Sequence, residues 1–162
     1  MTEFDQFIAL FPEVELPVVL TEEMTSIFSR TNEPLSAIVL QEFIEPIEGE
    51  LDDTSEIIPC FRIPKTYDFH AIIYWKAELM NYQYILATFE KNGNLIDRKV
   101  IAGTISDTFE VIQSVATITE DWQIYIVSGQ DYSDSQSYKA STSTANRLQL
   151  LTDGTIKDTD EE

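Results

Sequence analysis

The chain has 162 residues, 43% hydrophobic and 24% charged, the composition of an ordinary globular domain long enough to bury a core without disulfides or metal. Ten Lys and Arg stand against 29 Asp and Glu, a formal charge of -19 with a pI near 4.1, and such a surface repels nucleic acid and anionic membranes, so neither is an expected partner. One Cys and one His leave no intramolecular disulfide, no multi-histidine metal site and no proton relay.

Phe4, Phe7, Ile8 and Phe11 recur at i, i+3, i+4 and i+7, which predicts a helix with Thr2 as its cap, Asp5 as the reciprocal partner and Pro12 as its end. Thr21 followed by Glu22 and Glu23 predicts the cap and acidic first turn of a short second helix, with Leu20, Met24, Ile27 and Phe28 as its apolar stripe. Pro34 suits the first turn of a third helix over residues 34–45, which carries Leu35, Ile38, Val39 and Phe43 until Pro46 intervenes. Residues 48–56 are polar and acidic and read as a surface loop. Cys60 lies in a locally apolar stretch and reads as a buried, inert thiol.

From Asp68 the period changes to two, with Phe69, Ala71, Ile73 and Trp75 on one face and His70, Ile72, Tyr74 and Lys76 on the other. Further strands are predicted over residues 82–90, 95–104, 109–119, 122–128 and 146–151, each rich in Val, Ile, Thr and aromatics. That makes six strands. The short connections between the first five favour antiparallel neighbours. Asn92-Gly93 marks a hairpin; a two-residue loop would pair Phe89 with Ile96, and a turn with Gly93 in a bulge would pair Phe89 with Leu95. Both faces of the first two strands are apolar, Ile73 and Trp75 against Ile72 and Tyr74, then Ile85 and Phe89 against Tyr84 and Leu86. The sheet is therefore either covered on both faces or binds a partner on one.

These elements give an α+β fold in which N-terminal helices pack on one face of a twisted antiparallel meander of about six strands. A single domain over 1–162 is expected, with residues 1–66 helical and loop, 67–157 the meander and 158–162 an acidic tail. The segment 84–104, with its core Thr88-Phe-Glu-Lys-Asn-Gly-Asn-Leu-Ile-Asp97, and the later Leu151-Thr-Asp-Gly-Thr-Ile156 resemble small uncharacterised bacterial proteins that join N-terminal helices to a C-terminal β-meander. That resemblance implies the fold and no activity.

His70 with Asp68 and Tyr67 has the residue types of an oriented general base, but no nucleophile is placed beside it, and a satisfied strand histidine is expected. Asp131-Tyr-Ser-Asp-Ser alternates oxygen ligands as a calcium loop would, yet Gln136 and Thr142 stand where Gly and a bidentate Glu are required. The enclosing stretch 129–144 contains Asp131, Tyr132, Asp134, Tyr138 and Lys139, and reads as a long loop that is either functional or floppy. The glycines at 49, 93, 103, 129 and 154 form no phosphate-binding pattern. No catalytic residue, metal or cofactor is nominated.

The first six residues carry two acids and no base, unlike a secretory leader. The longest apolar run, residues 71–75, is far below the roughly 20 residues of a membrane span. A cytoplasmic location is expected. The leading function is a non-enzymatic acidic binding protein, an immunity or adaptor protein for a basic protein partner, because high charge speeds association with a cation. Its first contact candidates are Glu48, Glu50, Asp52, Asp53 and Glu56. The alternative is a small enzyme or small-molecule binder with an acid- and tyrosine-lined site between sheet and helices.

Overall fold

The computed structural model describes residues 2–106, 110–132 and 144–159, and they form the expected α+β fold: short N-terminal helices against an antiparallel meander. Helix α1 (Glu3–Ala9) opens with the predicted reciprocal cap, in which the Asp5 amide donates to Thr2 Oγ1 and the Thr2 amide donates to Asp5 Oδ2, both at 3.1 Å. Its Phe4, Phe7 and Ile8 are buried, as is Phe11 just beyond it.

Helix α2 (Met24–Thr31) begins later than expected. Glu23 occupies the cap without a side-chain bond, because the Thr21 carbonyl instead closes a turn with the Met24 amide and accepts from Tyr84 Oη at 2.6 Å. Leu20, expected on that helix, belongs to strand β1 (Val18–Leu20). The third helical stretch runs through Pro46 rather than stopping there. It starts as α3 (Ala37–Val39), passes through a π turn (Leu40–Ile44) and ends as α4 (Glu45–Glu48). The π turn bonds the Glu45 amide to the Leu40 carbonyl, which resets the register and leaves Pro46 in the first turn of α4, where its missing N–H is no loss.

The described residues form nine strands where six were expected. Besides β1, the additions are β2 (Glu56–Arg62) and β9 (Ile156–Asp158); the others are β3 (Phe69–Glu78), β4 (Asn81–Glu90), β5 (Leu95–Ser106), β6 (Glu110–Ile118), β7 (Gln123–Tyr132) and β8 (Thr144–Leu150). Strands β2 to β9 follow one another in sequence order across the sheet, and β1 pairs with β6. Strand β2 accommodates Pro59 because it lies at the sheet edge and shifts register between Pro59 and Phe61. Outside that edge, Asn32 Nδ2 donates to the carbonyls of Pro59 and Cys60 at 2.7 and 2.8 Å. The Asn92-Gly93 hairpin takes the bulged register, Phe89 opposite Leu95. Gly93, at φ +102, donates to the Glu90 carbonyl, and a Cβ there would lie 3.3 Å from the Phe4 ring.

Two apolar cores flank β3 and β4. On one face Phe69, Ala71, Ile73, Trp75, Tyr84 and Leu86 pack in a cluster that also contains Ala116, Ile118, Ile124, Leu148 and Leu150. On the other, Ile72, Tyr74, Ile85, Ala87 and Phe89 pack against Phe4, Phe7, Phe11 and Ile44. Both faces of these strands are therefore covered, which accounts for their two-sided apolar pattern. Among the described residues, no helix is long and apolar enough to cross a membrane.

Candidate functional site

The acidic run after α4 does not behave as one exposed loop. Glu48, at the end of α4, turns onto the sheet, and its side chain is 1% exposed. Arg98 of β5 grips its carboxylate with two bonds of 2.7 Å, Lys76 Nζ lies 3.1 Å away, and Tyr74 Oη donates to Oε2. Burial pushes the Glu48 carboxyl up, but the bonds from Arg98, Tyr74 and Lys76 together outweigh it and hold the group below its ordinary value. Lys76 also pairs with Glu78 at 2.8 Å. An acid and a tyrosine thus do meet between sheet and helices. Their oxygens are spent on each other and on two cations, and the Tyr74 ring belongs to the apolar cluster in which Phe7 stacks on Phe43 at 4.6 Å and lies edge-on to Phe11 at 5.3 Å. The cluster fastens α4 to the sheet.

The remaining loop acids Glu50, Asp52, Asp53 and Glu56 are exposed, although Glu56 is the first residue of β2. Asp52 accepts from the Thr54 amide at 2.8 Å and from the Thr54 and Ser55 hydroxyls, which lowers its carboxyl below the ordinary value. His70 lies against Phe4, ring centroids 5.8 Å apart, beside a 260 Å³ hollow bordered by Asp5 and Arg62. Burial, then Lys91, push it below its ordinary 6.5 against the opposing pull of Asp5. Tyr67 and Asp68 are exposed and make no bond to it among the described residues. Cys60 is fully buried, which raises its thiol far out of the reactive range. The stretch expected as a loop from Gly129 is strand as far as Tyr132, so Asp131 and Tyr132 belong to β7. Asp134, Tyr138 and Lys139, like the tail residues 160–162, lie outside the described residues.

A feature that the sequence did not single out lies where residues 13–16, the turn at Pro64 and Lys65, and the β6–β7 turn converge. They border a groove of 550 Å³. Val14, Leu16, Pro64 and Trp122 are half-buried in it, and the exposed Glu13, Glu15 and Glu120 stand at its rim with Lys65. Glu13 leans on Arg62 at 3.4 Å, whereas Glu15 and Glu120 have no cation partner among the described residues. Lys65 and Trp122 both hold positive φ, 67° and 66°, a conformation that is uncommon for any side chain and an outlier for a bulky one. Trp122, expected within a strand, is a turn residue. It is fixed there by its amide bond to the Thr119 carbonyl, by the Leu150 amide at 3.0 Å, and by edge-on contact with Phe69 at 5.8 Å. Trp122 beside the acids Glu120 and Asp121 was the readable sequence signal.

Comparison with protein families, with characterised proteins and with solved structures finds no match. Chemically, the groove offers an apolar, partly aromatic floor and at least two uncompensated carboxylates. Among the described residues it has no Ser, Thr or Cys at its rim, and no group of His, Cys, Asp and Glu is arranged to hold a metal.

Proposed function

We propose that the chain is a non-enzymatic binding protein for a basic protein partner, of the immunity or adaptor kind, acting in the cytoplasm. The supporting observation is the groove that joins the half-buried Val14, Leu16 and Trp122 to the unpaired Glu15 and Glu120. Its complement is an apolar side chain flanked by Lys or Arg: burial on the floor supplies affinity, the carboxylates set orientation, and indole attracts a cation over its face. A net charge of -19 speeds the encounter, and the exposed Glu50, Asp52, Asp53 and Glu56 extend the attracting field.

The test is capture from a lysate of the native host on immobilised protein, followed by association rates at rising salt. A basic protein should be retained, with an on-rate that falls steeply as ions screen beyond about 8 Å. Changing Glu15 and Glu120 to glutamine with Trp122→Ala should weaken it most. Changing Glu50, Asp52, Asp53 and Glu56 to amides should mainly slow association. A captured partner that is not basic, or a salt-insensitive rate, overturns the proposal.

A further inference from the structure

The face of β6, β7 and β8 that carries Ala116, Ile118, Ile124 and Leu148 into the core continues past the core's edge. There, by register, the same face presents Ile112, Ser114, Ile126, Ser128 and Asn146, which together with β4 and β5 line a second groove of 320 Å³. That volume holds about ten waters and stands at the lower end of small-molecule sites. Among the described residues, none with a charged side chain lines it.

Its polar groups are half-exposed and include donors that no described protein group accepts. Ser114 Oγ and Ser128 Oγ lie 2.7 Å apart, so one hydroxyl hydrogen serves the pair and the other has no acceptor among the described residues. Asn146 accepts the Arg147 amide on Oδ1 at 2.9 Å, which leaves its NH₂ without an acceptor among the described residues. Beside these donors Ile105 and Ile112, cross-strand partners, remain 45% and 37% exposed.

We propose that this groove binds a small neutral molecule with an apolar body and a carbonyl-type oxygen. N–H and O–H donors that no described protein acceptor takes suit an acceptor oxygen, and the isoleucines suit apolar surface. Among the described residues, an anion would find no cation here and would enter against the protein's own negative field, and a cation would find no carboxylate in the groove. The groove shares no residue with the one bordered by Trp122, so the two proposals stand or fall separately.

The experiment is fluorescence titration of the protein with 6-acetyl-2-(dimethylamino)naphthalene, a neutral ketone whose emission shifts blue in apolar surroundings. Saturable one-to-one binding with a blue shift is expected. Ile112→Trp, which fills the groove, and Asn146→Leu, which removes a donor, should each weaken it about tenfold or more. The corresponding naphthalene carboxylate should bind at least about tenfold more weakly than the ketone. The Glu15→Gln, Glu120→Gln, Trp122→Ala variant should bind the ketone as wild type does. Circular dichroism and urea midpoints confirm that each variant is folded, and Ile112→Trp, at a partly exposed position, carries the test if Asn146→Leu is not. No saturation up to the ketone's solubility limit, equal affinity in wild type and the folded groove variants, or a carboxylate that binds as well as the ketone would each overturn the proposal.

Discussion

Strands β3–β4 and β6–β7 are built from the same kinds of residue and meet different fates. In β3 and β4 both faces are closed, one by the core shared with β6 to β9 and the other by the phenylalanines of the N-terminal helices. In β6 and β7 the core-side residues Ala116, Ile118 and Ile124 are buried, while Tyr125 and Val127 on the opposite face are 41% and 57% exposed. Alternation in a strand reports that a face is apolar. Whether something covers that face is decided elsewhere in the chain, here by where α1 and the stretch 37–48 come to rest.

The largest expected effect separates the two regions by stability. Phe7→Ala removes a fully buried ring that stacks on Phe43 and should lower stability by about 3–5 kcal/mol. Val127→Ala should change it by less than about 1 kcal/mol. Urea melts give both numbers, and comparable losses would mean that the β6–β7 face is covered after all.

Next comes the ion cluster on the covered side. Glu48→Ala strands Arg98 and Tyr74 and leaves Lys76 to Glu78 alone, and should cost about 3–5 kcal/mol, as expected when one partner of a buried pair is removed. Because the folded state lowers this carboxyl below its ordinary 4.5, its contribution is fully present above that value and is lost as pH falls through the folded value. Acid titration of stability should therefore be steeper in wild type than in Glu48→Gln below about pH 4.5, and parallel curves would detach Glu48 from acid unfolding.

Gly93→Val tests the turn that supports the same side. It forces a β-branched residue to φ +102 and pushes its Cβ toward Phe4, so a loss of about 2 kcal/mol in a urea melt is expected. An unchanged midpoint would mean that the turn does not hold residue 93 at positive φ.

His70→Ala, at the margin of the helix-covered face, should be the mildest, under about 1 kcal/mol at pH 7.5. The His70 imidazole should titrate below 6.5 by NMR. The folded chain thus binds that proton less readily than the unfolded one, and acidification below 6.5 should erode stability slightly more in wild type than in the variant. A midpoint above 6.5 would make Asp5 the dominant neighbour.

Much of this architecture was legible by period. The first helix, its cap and strands β3 to β8 follow from spacings of 3.6 and two. The two-sided apolar pattern of β3 and β4 left open the double cover that the structure shows. Strands β1 and β9 escaped because three residues carry too little periodicity, and β2 because Pro59 breaks the pattern that an edge bulge tolerates. Glu48 escaped because an acid among acids reads as solvated. The readable clue lay with its partners: Tyr74 and Lys76 share the helix-side face of β3 with buried Ile72, and long cationic chains on such a face need an anion. The Trp122 groove joins three segments far apart in sequence, a convergence that only the fold creates.

Asn32 gives the edge of the sheet a further property. An open edge strand is a template on which another chain can add itself, and repeated addition leads to fibrils. At β2 that template is already spoiled. Pro59 offers no N–H, and the side-chain amide of Asn32 occupies the carbonyls of Pro59 and Cys60. An incoming strand would find no donor at Pro59 and would have to compete for the carbonyls of Pro59 and Cys60, so one asparagine at the end of α2 acts as a guard against self-templating.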